Sequence, residues 1–212
     1  MKKKRIFDPS SLPTRGKKTG AVRIFAGKWK RTPLPVIYLD GLRPTGNRIR
    51  ETVFDWLTFL LGGYSGKRAL DMFAGSGALG LEFASRGGTS VLIERDPQNA
   101  RNLSDVCAKL KAGDDAVVRR GDSLTLTRSY PERSFDVVFI DPPFAAGLHQ
   151  SALSAAARVL TDDGLIYLES PSEHEMPVPE DFAVLRSGSS GAVRYQLLAR
   201  KASPLADLAK ED

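Results

Sequence analysis

The chain alternates apolar runs with amphipathic stretches, which is the pattern of strands and helices following one another. Apolar residues at helical spacing predict a helix that ends at Gly62-Gly63, because glycine readily adopts the left-handed conformation of a helix end. From residue 67 onward the pattern predicts strands over 68–73, 90–93, 116–119, 135–140 and 164–169. Helices are predicted over 78–86, 97–112 and 149–160, whereas residues 120–134 show no clear period and are predicted to be irregular.

This alternation indicates an α/β fold with a mostly parallel, doubly wound sheet. Two further strands, over 182–186 and 193–200, are joined by SGSSGA and predict an antiparallel C-terminal strand. Near the N-terminus, apolar residues alternate with arginine and lysine over 21–36, which predicts a small basic β extension in the form of a hairpin. We divide the chain into a basic arm (1–20), the extension (21–42), the main domain (43–202) and a C-terminal tail (203–212).

The net charge of +6 is unevenly distributed along the 212 residues. Residues 1–50 contain 14 of the 31 lysines and arginines and two acids, a charge of +12, so that residues 51–212 carry −6. A basic N-terminal segment followed by a mildly acidic remainder of the chain is typical of a polyanion-binding arm joined to an enzyme-like domain. A solubilising tail is the alternative, and for residues 1–20 the sequence does not decide between the two.

The composition also limits the class of protein. No apolar run is long enough to span a membrane, and the charged N-terminus lacks the apolar core of a secretory signal, so we expect a cytoplasmic protein. The single cysteine, Cys107, rules out an internal disulfide, and it forms no recognisable zinc-site spacing with His149 or His174. We therefore expect no metal.

Residues 75–80 (GSGALG) have the spacing G-x-G-x-x-G between a predicted strand and a predicted helix. Glycines in this context let a nucleotide-like cofactor approach the backbone closely. Three acids near strand ends narrow the choice of cofactor. Asp71 suits a positively charged centre, Glu94 can accept hydrogen bonds from the ribose hydroxyls, and Asp122 can accept one from the adenine amino group. Together they describe S-adenosylmethionine. A NAD-dependent enzyme remains possible on Glu94 alone, but it leaves Asp71 and Asp141 without a role.

The predicted strand 135–140 runs directly into Asp141-Pro142-Pro143-Phe144. Two prolines make this turn stiff and remove two N–H donors. The Asp141 carboxylate and the Pro142 carbonyl can then accept both hydrogens of an exocyclic amine and direct its lone pair at a methyl donor. Phe144 offers a flat face on which a flipped-out base can stack. The tetrapeptide is interpreted as a clamp for an amino group on a planar ring, and a proline-rich turn with a core phenylalanine is the alternative.

The sequence resembles the bacterial 16S rRNA (guanine-N2) methyltransferases in segments that follow one another over roughly residues 20–200. These segments are RIFAGKWK, RPTGNRIRETVFDWL, LDMFAGSGALGLEFASRG and FIDPPF. The resemblance implies a Rossmann-like class I methyltransferase fold, S-adenosylmethionine as cofactor, and methylation of N2 of one guanosine in 16S rRNA of the small ribosomal subunit or its assembly intermediate. The DPPF motif alone is shared with amino-methyltransferases of DNA and RNA, whereas its combination with RPT-x-x-R-x-R-E is more specific. We expect a monomer without a membrane partner.

The motifs and the resemblance together assign site residues to three groups. The expected cofactor site consists of Asp71, Phe73, Gly75, Ser76, Gly77, Glu94, Asp122 and Ser123. The expected catalytic clamp consists of Asp141, Pro142, Pro143 and Phe144. The residues expected to bind RNA or to organise the mouth of the site are Arg23, Lys28, Lys30, Arg31, Arg43, Thr45 and Arg48.

Two other functions remain open at this point. A DNA or other RNA amino-methyltransferase, acting on adenine N6 or cytosine N4, could use the same clamp, although 212 residues leave no room for the usual target-recognition domain. A non-catalytic RNA-binding assembly factor could share the scaffold, but such a protein is expected to lose the site acids, and Asp71, Glu94, Asp122 and Asp141 are all present.

Some residues near these motifs receive a structural interpretation. The family more often has an acid at Asn47, and we interpret Asn47 as the N-cap of the first helix. Arg48, and less so Arg50, is interpreted as functional, with a solvated helix face as the alternative. Cys107 is predicted to be a packed, inert thiol in mid-helix, which argues against cytosine-C5 methylation.

Three other side chains fall near these segments without a clear chemical role. His149 is expected at a helix cap or on the surface, and His174, in a polar loop, is given no role. Trp29 either stacks on RNA or anchors the basic hairpin.

Overall fold

The computed structural model describes residues 19–37, 46–173 and 176–209. The basic arm up to residue 18, Arg43, Thr45 and His174 therefore lie outside the described residues. Strands β1 (Thr19–Arg23) and β2 (Pro33–Ile37) pair antiparallel, which confirms the predicted hairpin. Within the described ranges, no helix is both long and apolar enough to cross a membrane.

The main domain begins with helix α1 (Asn47–Leu61), and strands and helices then alternate. The elements that follow are β3 (Arg68–Asp71), α2 (Gly80–Ser85), β4 (Thr89–Glu94), α3 (Pro97–Leu110), β5 (Ala116–Arg120), α4 (Ser123–Ser129), β6 (Phe135–Ile140), α5 (His149–Val159), β7 (Leu160–Pro171), β8 (Phe182–Ser190) and β9 (Val193–Arg200). Short 3₁₀ turns occur at Gly113–Asp115, Phe144–Ala146 and Pro204–Ala209.

Seven of the described strands form one sheet in the order β5-β4-β3-β6-β7-β9-β8. The pairs β3–β4, β4–β5, β3–β6 and β6–β7 are parallel, and β9 lies antiparallel between β7 and β8. The predicted mostly parallel sheet with an antiparallel C-terminal strand is thus confirmed. The strand order reverses between β3 and β6, and ligands of such sheets bind at the carboxyl ends of the strands flanking this point.

Helices cover both faces of this sheet. Helices α1, α2 and α3 pack on one face, where Phe54, Leu57 and Phe83 meet Phe139 and Tyr167, and the hairpin packs onto α2 and α3. Helices α4 and α5 pack on the other face. Because successive side chains of a strand point to opposite faces, Phe139 and Tyr167 mark the α1 face of β6 and β7.

Three predictions of local structure are wrong. Residues 123–129, predicted to be irregular, form α4, because Asp122 caps the helix by accepting a hydrogen bond from the Thr125 N–H group at 2.9 Å. Four residues of the predicted SGSSGA loop belong to β8, and the turn itself is Gly191–Ala192. Gly188 is accommodated in this strand because it packs on Tyr195, whose ring would lie only 2.4 Å from an added Cβ.

The third concerns the start of α1. The N-cap position is Gly46 rather than Asn47, and no side chain caps the helix there. Asn47 is the first helical residue, and its Oδ1 atom accepts a hydrogen bond from Nη2 of Arg50 at 2.9 Å. Asn47 therefore orients an arginine instead of capping the helix.

Candidate active site

The glycine loop connects β3 to α2 at the carboxyl edge of the sheet. Gly75 and Gly77 have φ angles of +52° and +78°, which side-chain-bearing residues rarely adopt. A Cβ atom on Gly77 would also lie 2.6 Å from Leu103, whereas one on Gly75 would meet nothing closer than 4.0 Å. Gly77 is thus required by packing, and Gly75 leaves the space beside the backbone open to a ligand.

Asp71 lies at the end of β3 beneath this loop and is 2% exposed. Its Oδ2 atom accepts a hydrogen bond from the Gly80 N–H group at 3.0 Å. Burial raises the pKa of Asp71 to about 7, and the nearby carboxylates of Asp141 and Glu94 add to the rise. A cation placed among these acids would favour the charged forms, so the pocket is electrostatically suited to a positively charged ligand.

Glu94 and Asp122 follow the next two strands. The half-buried Glu94 carboxylate accepts hydrogen bonds from the N–H groups of Gly75 at 2.9 Å and Asp96 at 2.7 Å, and burial raises its pKa. Glu94 therefore ties the glycine loop to the end of β4. Asp122 is exposed, and its hydrogen bonds to Thr125 lower its pKa.

The other residues of the expected cofactor site lie around the same loop. Phe73 and Ser76 are half-buried residues of the loop itself. Ser123 begins α4 and is 7% exposed, and its hydroxyl has no hydrogen-bond partner among the described residues. All eight residues thus lie at or next to the carboxyl ends of β3, β4 and β5. Among the described residues, no group of three His, Cys, Asp or Glu side chains is arranged to hold a metal ion.

Asp141 to Phe144 follow β6, next to β3 at the reversal of strand order. Asp141 is half-buried, Pro142 is buried, and the Phe144 side chain is 38% exposed. The Pro143 carbonyl accepts a hydrogen bond from the Ala146 N–H group at 2.9 Å. The clamp hypothesis uses the preceding carbonyl, that of Pro142. Phe144 is therefore not a core phenylalanine, which contradicts the alternative of a proline-rich turn with a buried ring. Its ring is available for a planar partner.

A second acid, not among the predicted site residues, lies beside this clamp. Glu169, in β7, is 2% exposed, and its Oε1 atom accepts a hydrogen bond from the Tyr167 hydroxyl at 2.6 Å. Burial and the adjacent carboxylates of Glu169 and Asp141 raise the pKa of Tyr167 well above its usual value. The available signal was an acid after an apolar strand, the same signal that singled out Glu94 and Asp141.

His149 is neither a cap nor a surface residue, which corrects the prediction. It is the first residue of α5 and is 5% exposed, and its ring lies 6.0 Å from the Phe144 ring, centroid to centroid. Burial lowers its pKa, and a hydrogen bond to the backbone of Glu169 partly offsets this. His149 thus packs against Phe144 beside the clamp.

The residues expected to bind RNA are divided between two ends of the molecule. Lys28 forms an ion pair at 2.5 Å with Asp115, directly before β5, and its N–H group donates to the Ser85 carbonyl at the end of α2. The hairpin turn, which carries the exposed Lys28, Lys30 and Arg31, therefore lies at the amino ends of the strands, opposite the clamp.

The two remaining described members of the RNA group are Arg23 and Arg48. Both side chains are exposed, and Arg23 lies on β1, above the turn. Arg48, in the first turn of α1, lies at the same edge of the domain as the glycine loop and lines a groove of about 360 Å³ with Thr52, Ser189, Ser190 and Tyr195.

Trp29 is buried, so it anchors the hairpin and is not available for stacking on RNA. Its N–H group donates to the Ser85 hydroxyl at 2.9 Å. Cys107 is also buried, and burial raises its pKa to about 11, in agreement with the predicted inert thiol.

Arg50 is fully buried, which overturns the alternative that it belongs to a solvated helix face. Its Nη2 atom donates to the Arg23 carbonyl at 3.1 Å, its Nη1 atom lies 3.5 Å from the Ala78 carbonyl, and the guanidinium lies over the Phe25 ring. Burial lowers the pKa of Arg50, and the Glu82 carboxylate opposes this. Arg50 therefore connects the hairpin, α1 and the glycine loop.

Comparison with known proteins identifies the family of this chain. A family model described as Conserved hypothetical protein 95 matches residues 22–199. The chain is 38% identical over 193 residues to ribosomal RNA small subunit methyltransferase D of Escherichia coli (strain K12), an alignment covering 89% of this chain and 95% of that protein.

Two solved structures extend the comparison to the fold. The putative methyltransferase yhhF from Escherichia coli has a TM-score of 0.75 at 36% identity, covering 87% of this chain and 100% of that one. P. horikoshii TYW2, solved in complex with MeSAdo, has a TM-score of 0.58 at 18% identity, covering 78% of this chain and 66% of that one, and so shares the fold alone. The chain has the Rossmann-like methyltransferase fold and belongs to the Conserved hypothetical protein 95 family, which includes ribosomal RNA small subunit methyltransferase D.

Proposed function

We propose that this protein is an S-adenosylmethionine-dependent methyltransferase that modifies the exocyclic N2 amino group of a guanosine in 16S rRNA of the small ribosomal subunit. The observation that carries the proposal is the position of Asp141 and Pro142 at the end of β6, beside the glycine loop and the acidic pocket around Asp71. The E. coli relative, whose name specifies small-subunit ribosomal RNA, supports the substrate class.

The residues at the carboxyl edge fit the proposed cofactor. Gly75 leaves room for the cofactor to approach the backbone closely, and Glu94 provides a hydrogen-bond acceptor at the end of β4. A positive centre next to Asp71 would lower the raised pKa of this residue and favour its charged form. When bound, S-adenosylmethionine supplies a methyl group attached to a positively charged sulfur. Asp122 remains the proposed partner of the adenine amino group, although its Oδ1 atom already caps α4.

The clamp acts on the amine of the target base. An exocyclic amine is conjugated with its ring and is a weak nucleophile, so its orientation matters more than its intrinsic reactivity. Two acceptors, the Asp141 carboxylate and the Pro142 carbonyl, hold the two N–H groups and turn the nitrogen lone pair toward the methyl group. The carboxylate also stabilises the positive charge that develops on the nitrogen, and the surplus proton then passes to water. Phe144 stacks on the flipped base.

The exposed basic residues are proposed to bind the RNA backbone. Arg48 lies at the catalytic edge, and Lys28, Lys30 and Arg31 lie at the opposite edge, so an RNA that contacts both has to extend along the side of the domain. Arg43 and Thr45 are proposed to bind RNA or to organise the mouth of the site on the basis of the RPT motif alone. Contacts of this kind fix the position of the RNA but carry no base sequence information.

The test uses labelled S-adenosylmethionine with undermodified small ribosomal subunits, naked rRNA and duplex DNA, followed by digestion and mass identification of the labelled nucleoside. We expect N2-methylguanosine from the subunits. Label in DNA as N6-methyladenine or N4-methylcytosine would keep the clamp chemistry and replace the substrate. Binding of the cofactor without label in any of the three would favour a non-catalytic assembly factor on this scaffold.

A further inference from the structure

We propose that Glu169 selects guanine by accepting a hydrogen bond from N1–H of the target base while the clamp holds N2. This inference rests on the proposed function and names the residue that distinguishes guanine from the other amino-bearing bases at this site.

The sheet register places Glu169 beside the clamp. Ile140, the last residue of β6, pairs with Leu168 of β7, and Asp141 and Glu169 directly follow this pair. Adjacent strands lie about 4.8 Å apart. The Glu169 side chain points to the α1 face, because it is two residues beyond Tyr167 in β7, and Asp141 acts electrostatically on Tyr167 and on Asp71. The proximity of Asp141 and Glu169 is also reflected in Tyr167, on whose hydroxyl both carboxylates act electrostatically.

Glu169 is held rigidly at the carboxyl edge of the sheet. It is 2% exposed, and the Tyr167 hydroxyl donates to Oε1 at 2.6 Å and fixes the plane of the carboxylate. A fixed acceptor in a buried position discriminates between base edges, because a base that turns a lone pair toward it is repelled whereas a base with an N–H group is bound.

The chemistry of the bases decides which one fits two adjacent acceptors. Guanine presents two donors side by side, N1–H and the N2 amino group. Adenine and cytosine present an amino group beside a ring nitrogen that carries a lone pair, which would face the Glu169 carboxylate. A site built to bind a donor rejects an analogue lacking it by up to about 10⁴–10⁵ in kcat/KM. Asp141 thus recognises an amine, and Glu169 recognises which base carries it.

The test varies the substrate and the residue together. Small subunits are reconstituted with rRNA carrying either guanine or 2-aminopurine at the mapped target position, since 2-aminopurine keeps the amino group but has a lone pair at N1. We expect the wild type to prefer guanine by at least about 100-fold in kcat/KM. In Glu169→Gln, whose amide can donate to N1 of 2-aminopurine, the preference should fall below about 10-fold, with cofactor affinity unchanged.

Tyr167→Phe is the matched control, because it removes the hydrogen bond to Glu169 but keeps the carboxylate. It should lower the rate and retain most of the preference, and it tests the inference even where Glu169→Gln does not fold. Equal use of both bases by the wild type, or an unchanged preference in Glu169→Gln, would overturn the role of Glu169 and leave the proposed function standing. Absence of N2-methylguanosine from the guanine subunits would overturn both.

Discussion

The Glu82 carboxylate accepts hydrogen bonds from two backbone groups of the hairpin, the Phe25 N–H group at 2.7 Å and the neighbouring Ala26 N–H group at 3.1 Å. Glu82 is fully buried in α2, and its Oε1 atom also accepts from Nε of Arg86 at 2.8 Å. The basic hairpin is therefore fastened to the main domain by a buried acid that satisfies two backbone donors, and it does not hang from the domain as a loose arm.

Glu82→Ala should lower the free energy of unfolding by about 3–5 kcal/mol, because it leaves the Arg86 guanidinium and two backbone donors without their partner. Urea unfolding measures the loss. Asp115→Asn is the control, since it removes the exposed Lys28–Asp115 pair and should cost no more than about 1 kcal/mol. Equal effects of the two substitutions would mean that Glu82 does not fasten the hairpin.

Asp71 makes stability depend on pH. Its pKa is raised to about 7 from 3.8 in the unfolded chain, so between these values the unfolded chain loses the proton first and the folded state becomes progressively less favoured as pH rises. Asp71→Asn has no proton to lose. The variant should therefore gain stability relative to the wild type by roughly 2–4 kcal/mol between pH 4.5 and pH 7.5, with no further gain above that.

Urea unfolding of both proteins without cofactor at pH 4.5, 6 and 7.5 checks this expectation. A difference that stays constant with pH would show that Asp71 does not hold its proton in the folded protein. Cofactor binding should be weakened in the same variant, because the carboxamide cannot stabilise a positive centre.

Asp141→Ala should reduce kcat by at least about 10³-fold while changing the dissociation constant of S-adenosylmethionine by less than about threefold, because the amine loses an acceptor that the cofactor does not use. Single-turnover methylation and calorimetric titration measure the two quantities. Asp141→Asn is the matched control, since its amide oxygen can still accept one N–H group and should retain part of the rate. Near-wild-type turnover of the alanine variant would remove Asp141 from the clamp.

Substitution of Lys30 and Arg31 tests whether the hairpin turn binds RNA. Arg31 has a φ of +69°, so asparagine, which tolerates this conformation, is a better replacement than alanine. Lys30→Ala combined with Arg31→Asn should weaken binding to the subunit and lower the slope of log affinity against log salt by about 1–2, because fewer counterions are released. Filter binding over a salt series measures it. Lys201→Ala is the control, and an equal change there would point to net charge alone.

The alternation of strands and helices could be predicted from the sequence because buried parallel strands are short apolar runs separated by helices with an apolar face. The same logic predicts a ligand-binding edge, since Asp71, Glu94 and Asp141 interrupt apolar strands at their ends. Helix α4 is not predicted because the sequence interpretation assigns Asp122 to the cofactor, whereas in the structure it caps the helix.

The burial of Arg50 and Glu82 could not be predicted from the sequence. Both lie in helices, where a charged residue ordinarily faces water, and both are fully buried. Their partners in the hairpin are 27 and 57 residues away along the chain, so no local period reveals them. Only the tertiary arrangement shows that these two charges face the hairpin and not solvent.

The placement of the hairpin turn opposite the clamp sets a minimum length for any ligand that contacts both. At about 3.3 Å per residue, the six residues of β6 are roughly 20 Å long. Under the proposed function, an RNA that presents a base to Asp141 and also contacts Lys28 has to span at least this distance. The length of the sheet then sets a lower limit on the size of an RNA that engages both edges of the domain.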